Sequence, residues 1–437
     1  MKVDKYFEST YTLIIGIGIT ILSFIILIGK KWLYINSVNL FLIALMFLSL
    51  KDIISFFYGN KKKKKINYIR SLSNLILCII FSIYRNIPLS ILPFIFGIYL
   101  ILNSLIKIID LSILTINKSP GKLTEFILIL IYYITGILCT IAPLSYLDFI
   151  IFIIGIYLLL LGITYIWDFI YEFIPNKYKN KIKKRTRLTL PVLLEAIIPY
   201  VVLNEINYII DKKNIDKDFM YEENKEDIKP DIEFMVHISN RGYNRLGHCD
   251  IVYKNNVISY GSYDINSLRY HGLVADGVVF VADKEKYISF CVKHSKKMIF
   301  SFGLKLSDKQ KENIEKEINL LFDNLKPWKS PYEEDISKSK KIRKKDYNDY
   351  ASCLYMATSA QMYKFIKGKY KKYFALGNNC VKLADEIISK SGIDALKIYG
   401  IITPGAYYEY LNREFRKKNS IVVSRKIYNN KSIKKVS

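Results

Sequence analysis

The sequence predicts a multidomain protein in which an all-α transmembrane domain of six spans precedes an α+β domain with an antiparallel sheet and helices. Hydrophobic residues make up 51% of the 437-residue chain, and most of them lie before residue 175 in runs of Ile, Leu and Phe. These runs match the roughly 20 apolar residues that cross a bilayer. Beyond residue 231, short β-rich runs come first and helical patterns follow, which is the order of an α+β domain.

The predicted transmembrane domain covers residues 1–175. Its six apolar segments are 11–29, 32–58, 71–88, 89–108, 124–143 and 147–170. The second segment is interrupted by Lys51 and Asp52, and the third contains Arg85. No small-residue cleavage site follows the first segment and further apolar segments do, so it is predicted to be a span and not a cleavable signal peptide.

Basic residues collect in alternate loops between these segments. The loop between spans two and three holds Lys61 to Lys65, and the run NKYKNKIKKRTR at 176–187 follows span six. The opposite loops hold only Lys30, Lys31 and Arg85. Because basic loops are retained in the cytoplasm, we expect a multi-pass protein of the cell membrane with both termini cytoplasmic and the lipid bilayer as a partner.

The formal net charge of the chain is +26. The lysines that produce it crowd beside the apolar runs and in the C-terminal tail. Membrane topology accounts for that placement, so no nucleic-acid partner is predicted. A cytoplasmic C-terminal half lies in a reducing compartment, where structural disulfides are not expected.

An internal repeat runs through the membrane half. GIYLILNSLIKIID begins at Gly97, GIYLLLLGITYIWD begins at Gly155, and a weaker copy, NLFLIALMFLSLKD, begins at Asn39, so the copies are about 58 residues apart. Each copy ends on an aspartate: Asp52, Asp110 and Asp168. The pattern resembles the HdeD acid-resistance membrane family over about residues 8–172, which implies a compact six-helix domain of three helix hairpins. No span carries paired acidic and basic residues deep in its middle, which favours an anchor over a transporter.

Residues 176–230 form the predicted connector. The stretch 188–210 is apolar but contains two prolines and two glutamates, and it is interpreted as an interfacial or domain-docking helix. As a seventh span it would place the remainder of the chain outside the cytoplasm. Residues 211–231 are charged and poor in aromatic residues, which is typical of a linker.

The α+β domain is predicted over residues 231–415, with a basic tail at 416–437. The β-rich runs are FMVHIS, HCDIVY, VISYGSY, GVVFVAD, YISFCVKH and KMIFSFGLKL. A helix is predicted from Ser307, where Ser307 and Gln310 form a capping-box pattern. Further helices are predicted at 351–366, at the Cys380 segment, and after Thr403–Pro404, where proline occupies the first turn.

The segment GNNCVKLADEIISKSG, residues 377–392, predicts a helix with Cys380 in its first turn and Gly392 just beyond its end. Unpaired backbone N–H groups at a helix start favour negative charge, so this position suits a thiolate. The alternative is a small buried residue that anchors the start of the helix.

A thiolate nucleophile needs a base, usually a histidine oriented by a third polar group. His248 follows Gly247 at the start of a predicted strand, in a hairpin whose second strand returns past Tyr260. The other three histidines, His237, His271 and His294, are interpreted as structural or surface residues. Neither a CxxC nor an HxxxH pattern is present, so no metal and no cofactor are predicted.

A Gly-His strand hairpin followed more than a hundred residues later by Asn-Asn-Cys at a helix start resembles the circularly permuted NlpC-type papain-like hydrolases, which include relatives of lecithin retinol acyltransferase. The resemblance covers about residues 232–415. It implies that His248 is the base, that Cys380 is the nucleophile, and that the third, polar position falls near Tyr260. Ser259 and Asp264 are alternatives at that position.

Two functions from different classes remain open at this stage. The first is a membrane-anchored cysteine hydrolase or acyltransferase with a peptide or acyl-lipid substrate. The second is a catalytically idle papain-like binding module on a stress-response membrane scaffold. A transporter with a regulatory domain ranks last, because deep charged pairs are missing from the spans. The sequence predicts no oligomeric state.

Overall fold

The computed structural model describes residues 5–58, 61–173, 187–188, 220–224, 228–238, 247–294, 298–338, 343–390, 398–399, 404–416 and 420–428. The chain divides into two compact units. One consists of Leu13–Leu111 with Gly121–Trp167, and the other of Met1–Thr12, Ser112–Pro120 and Asp168–Ser437.

The first unit is helical. Its residues lie in the helices α1 Lys5–Tyr58, α2 Lys61–Ile83, α3 Asn86–Ile116, α4 Lys122–Ile141 and α5 Leu147–Phe173, and the ends of α1, α3 and α5 at 5–12, 112–116 and 168–173 belong to the other unit. Four stretches are long and apolar enough to cross a membrane: Thr10–Ser55, Asn86–Ile116, Lys122–Ile141 and Leu147–Trp167. The predicted apolar helical region is confirmed, but six separate spans are not. The first two predicted spans lie in the single helix α1, which is interrupted only by non-helical backbone at Lys30 (φ 41°), and the apolar part of α2 is short, Tyr68–Ile83.

Glycines allow close approach between these helices. A Cβ placed at Gly97 on α3 would lie 2.8 Å from the carbonyl oxygen of Gly136 on α4, and one placed at Gly162 on α5 would lie 3.0 Å from the carbonyl oxygen of Gly16 on α1. Helices that pack in an apolar environment gain from such small residues because their backbones can approach closely. Larger side chains at these positions would force the helices apart.

Polar contacts join further helices of this unit. The hydroxyl groups of Ser49 on α1 and Ser71 on α2 are 2.9 Å apart. Asp52, the aspartate that ends the first repeat copy, pairs with Arg70 on α2.

The second unit contains a nine-stranded antiparallel sheet. Its strands are β2 Met220–Asn224, β3 Ile232–Ile238, β4 His248–Tyr253, β5 Asn256–Gly261, β7 Val278–Asp283, β8 Met298–Leu304, β9 Leu325–Pro327, β10 Gln361–Phe365 and β13 Val422–Tyr428. Across the sheet they lie in the order β2-β13-β8-β3-β4-β5-β7-β10-β9. Short pairs are formed by β1 Arg187–Leu188 with β12 Ile398–Tyr399, and by β6 Val274–Asp276 with β11 Lys372–Phe374. The antiparallel-sheet α+β class is therefore confirmed.

Helices pack on both faces of this sheet. They are α6 Lys284–Lys293, α7 Asp308–Asp323, α8 Pro331–Ser337, α9 Tyr350–Thr358, α10 Cys380–Lys390 and α11 Pro404–Arg416. On one face, Phe234 of β3 packs in a core with α7, α10 and α11. On the other, the next residue, Met235, packs in a core with α6 and α9. The alternation follows the two-residue period of a strand.

Three of the predicted helices are confirmed. Helix α7 begins after Ser307 and carries the expected capping box with Gln310. Helix α10 begins at Cys380, and α11 begins at Pro404. Gly392, the expected residue beyond α10, lies outside the described residues.

Two assignments from the sequence were wrong. The run YISFCVKH, predicted as β, belongs to helix α6, because the Asp283 side chain caps the helix by accepting a hydrogen bond from the Lys286 N–H. The helix predicted at 351–366 ends at Thr358. Ser359 then adopts a left-handed conformation (φ 55°), and the chain continues as β10, which pairs with β7 and β9.

The sheet also includes residues that the sequence assigns to the linker and to the tail. Strand β13 pairs with both β8 and β2. Val422 and Ile427 are buried, so apolar contacts hold this strand although its neighbours in sequence are basic. The predicted helix at 188–210 lies outside the described residues except for Leu188, which belongs to β1.

Candidate active site

Cys380 is the first residue of α10, and the preceding Asn379 fixes the start of that helix. The Asn379 side-chain oxygen accepts a hydrogen bond from the Lys382 N–H at 3.0 Å, which is an N-cap contact. The Asn379 amide nitrogen donates to the Ala375 carbonyl at 3.0 Å. Cys380 is 4% exposed and lies at the positive end of the helix dipole, where a thiolate is favoured.

His248 is the first residue of β4. The preceding Gly247 has a φ of 76°, and a Cβ on it would lie 2.8 Å from the His237 carbonyl oxygen, so glycine suits both the backbone conformation and the space. The structure brings His248 and Cys380 together, since Cys380 is one of the neighbouring groups that raise the pKa of the His248 imidazole. Burial and the neighbouring Cys380 raise the pKa of Tyr373 on β11 well above its ordinary value.

The Nε2 atom of His248 lies among polar groups on the side of the sheet covered by α6 and α9. It is 2.8 Å from the Asp250 Oδ1 atom, 2.8 Å from the Ser259 hydroxyl and 3.0 Å from the Tyr263 hydroxyl. Because Nε2 is engaged by these groups, Nδ1 is the ring nitrogen available for proton exchange with the thiol.

The protonation state of His248 follows from these neighbours. Burial lowers the pKa of His248, but the Asp250 carboxylate and the negative charge at Cys380 raise it by more, to about 10. Burial acts to raise the pKa of Asp250, yet His248 and His237 hold it well below its usual value. At neutral pH the site therefore contains a protonated His248 imidazole beside the Asp250 carboxylate.

The Asp250 carboxylate is the centre of the polar cluster. Its Oδ2 atom lies 2.6 Å from Nε2 of His237 and accepts a hydrogen bond from the Tyr287 hydroxyl at 2.8 Å. The side chains of His237 and Asp250 are 1% and 0% exposed. Each carboxylate oxygen thus has partners of its own, with Oδ1 facing His248.

Tyr260 is placed differently from the expectation for a third catalytic member. Its hydroxyl donates a hydrogen bond to the Tyr370 carbonyl at 2.9 Å, and its ring packs on the face covered by α10. Among the described residues, no hydrogen bond joins Tyr260 to His248. Of the two alternatives, Ser259 contacts His248, whereas Asp264 pairs with Lys364 at 2.6 Å.

Asp250 was missed by the sequence reasoning although a signal was present. It follows His248 by two residues on the same strand, so the two side chains share one face of the sheet. The sequence pattern indicated the returning strand, where Ser259 and Tyr260 lie, for the third member, and not the strand of His248 itself.

The remaining cysteines and histidines differ from this pair. Burial, together with negative charge at Cys380 and Asp250, raises the pKa of the Cys249 thiol well above its ordinary value, and burial raises that of Cys353. His271 is exposed, and His294 stacks on Phe290. A surface groove lined by His294 and Cys353 contains neither Cys380 nor His248.

Compared with protein-family models, with curated proteins and with solved structures, the chain matched none.

Proposed function

We propose that the chain is a membrane-anchored cysteine hydrolase or acyltransferase of papain-like architecture, with Cys380 as its nucleophile and His248 as its base. One observation carries the proposal. Cys380, at a helix start, is among the groups that raise the pKa of the His248 imidazole, and the Nε2 atom of that imidazole lies 2.8 Å from a fully buried carboxylate. A nucleophile, a base and a group that orients the base form the arrangement required for covalent acyl transfer.

The proposed reaction has two halves. In the first, the Cys380 thiol proton resides on His248 and the thiolate attacks the carbonyl carbon of an amide or ester. The imidazolium then gives its proton to the departing amine or alcohol, which leaves a thioester on Cys380. In the second half, His248 takes a proton from water or from an acceptor alcohol or amine, whose attack releases the acyl group and restores the thiol.

Two groups are positioned to stabilise the oxyanion of each tetrahedral intermediate. The backbone N–H of Cys380 lies at the start of α10, where helix N–H groups favour negative charge. We assign the second donor to the hydroxyl of Tyr373, whose pKa is raised well above its ordinary value by burial and by the neighbouring Cys380. Asp250 keeps the imidazole oriented and charged, a role separate from contact with the substrate.

The membrane part of the proposal is a six-span anchor with both termini in the cytoplasm, similar to the HdeD family. The apolar stretch Thr10–Ser55 is 46 residues long, about twice the length of one span, and the non-helical backbone at Lys30 divides it. With Tyr68–Ile83 as a further span, the basic loops all lie on one side. The substrate class is a peptide or an acyl lipid reached from the cytoplasmic side.

A catalytically idle binding module is the second candidate. The observation that favours it is the burial of Cys380, which is 4% exposed, because a substrate carbonyl must reach the sulfur. The two functions differ in whether a covalent intermediate forms.

The test is to trap that intermediate. The full chain in lipid vesicles is incubated with mixtures of peptide amides or acyl esters, quenched in acid, and digested, and the Cys380 peptide is weighed by mass spectrometry. The enzyme predicts an acyl adduct on Cys380 that is absent from Cys380→Ala and from His248→Ala, with Cys249→Ala as the matched control that retains it. Failure of every substrate class to give an adduct, on protein whose Cys380 reacts with iodoacetamide, would support the binding module.

A further inference from the structure

The buried cluster around Asp250 contains a second histidine that the proposed reaction does not use. His237 on β3 is paired in register with His248 on β4, and the two rings are 5.7 Å apart. Both rings direct Nε2 to the same carboxylate, at 2.6 Å for His237 and 2.8 Å for His248. His237 therefore shares one fully buried carboxylate with the base of the site, which links it to that site.

The two oxygens of Asp250 have different partners. Oδ2 lies against His237 and accepts the Tyr287 hydroxyl hydrogen bond, while Oδ1 lies against His248. A carboxylate rotates about its Cβ–Cγ bond unless both oxygens are held. His237 and Tyr287 together therefore fix the direction in which Oδ1 points.

Charge balance gives His237 a second effect. A buried carboxylate is costly unless it is paired and hydrogen-bonded. Without His237 the carboxyl group of Asp250 is more readily protonated. A protonated Asp250 no longer holds the positive charge on His248, and the Cys380 thiolate then loses its counter-ion.

We propose that His237 is a positioning residue of the Cys380–His248 site: by holding Oδ2 of Asp250 it turns Oδ1 towards His248 and preserves the thiolate–imidazolium pair. The inference rests on the proposed function, since it assigns a role within that pair.

Several titratable groups face this cluster from the elements packed against it. They are Tyr287 on α6, Tyr263 after β5, Tyr350 on α9, and beyond His248 the side chains of Cys249, Tyr373 and Cys380. Burial raises the pKa of the four tyrosines and of the Cys249 thiol well above their ordinary values. The four tyrosines and Cys249 therefore stay neutral in mildly acidic and neutral solution.

The test compares the rate of iodoacetamide alkylation at Cys380 across pH in the full chain. His237→Met removes the ring nitrogen that lies 2.6 Å from Oδ2 while keeping an apolar side chain of similar length, and His237→Gln keeps an N–H group near the position of Nε2. We expect His237→Met to slow alkylation about tenfold at about pH 6 and to leave it near wild type at about pH 9, where a thiolate forms without the pair. His237→Gln should recover most of the loss. Tyr287→Phe, which removes the other donor to Oδ2, should give a smaller loss of the same form.

His248→Ala in the same assay distinguishes the role of His237 from the Cys380–His248 pair itself. If His248→Ala slows alkylation at about pH 6 and His237→Met does not, the role of His237 is refuted and the proposed pair stands. If His248→Ala has no effect, the pair itself is refuted. A loss in His237→Met that is equal at both pH values and not recovered by His237→Gln would show that His237 serves only packing. Should His237→Met fail to fold, the comparison of His237→Gln and Tyr287→Phe with wild type decides between these outcomes.

Discussion

Replacing Asp250 by asparagine removes one negative charge from the centre of the site with little change in shape. The Oδ1 atom of Asp250 is 2.8 Å from Nε2 of His248, and the Asp250 side chain is fully buried. An opposite charge at this distance shifts a pKa by about 1–2 units, which corresponds to roughly a ten- to hundredfold change in a rate or population. We therefore expect Asp250→Asn to slow alkylation of Cys380 by that factor at about pH 6, because the His248 imidazolium that stabilises the thiolate is lost.

The assay measures the rate constant for iodoacetamide modification of the Cys380 peptide in full-length protein. Glu233→Gln is the matched control, since Glu233 is an acidic residue of the neighbouring strand whose carboxylate pairs with Lys284 at 2.6 Å and accepts a hydrogen bond from Ser301. The control should alkylate at the wild-type rate. An Asp250→Asn protein that unfolds cooperatively like wild type, yet reacts at the wild-type rate at mildly acidic pH, would refute the role given to Asp250.

Three further predictions concern the third residue, pH stability and topology. Tyr260→Phe should lower the free energy of unfolding by about 1 kcal/mol through its lost hydrogen bond and change Cys380 alkylation by less than about twofold; a tenfold slower reaction would restore Tyr260 to the site. Because the pKa of His248 rises on folding from 6.5 to about 10, its stabilising effect is complete below the lower value and is lost as pH rises through the higher one. The free energy of unfolding of His248→Asn, measured by thermal unfolding, should accordingly depend less on pH between those two values. A pH dependence equal to that of the wild type would contradict a charged imidazole at His248. A reporter fused after Ser437 should be cytoplasmic, and labelling of Cys380 in intact cells by an impermeant thiol reagent would overturn the topology.

The elements that could be predicted from the sequence are those in which local signals agree with the fold. The Cys380 helix has apolar residues at helical spacing, and the strand of His248 is a β-rich run bounded by turn residues, so both were predicted. Helix α6 was mistaken for a strand because YISFCVKH is rich in aromatic and β-branched residues, whose preference is overridden by the Asp283 cap and by burial against the sheet. Strand β13 was hidden because its pairing partners lie far away in sequence.

In the candidate site too, contacts that depend on pairing between separate strands were not predicted from the sequence. The pairing of His248 with Cys380 followed from their order and local context, whereas the contact of His237 with Asp250 depends on the register between β3 and β4. Register is set by the strands that pair and by the turn between them, and the residues alone did not determine it. Tyr260 was preferred because it follows His248 on the returning strand, but its side chain points to the opposite face.

The central claim is that Cys380 and His248 form an ion pair, and a histidine titration by NMR tests it most directly. The chain contains four histidines, so the imidazole signals of histidine-labelled protein can be assigned by single substitutions. The account predicts that the pKa of His248 is about 10, and that Cys380→Ala lowers it because the negative charge of the sulfur is removed. A His248 signal that titrates at an ordinary histidine pKa in the wild type, and that does not move in Cys380→Ala, would contradict the account.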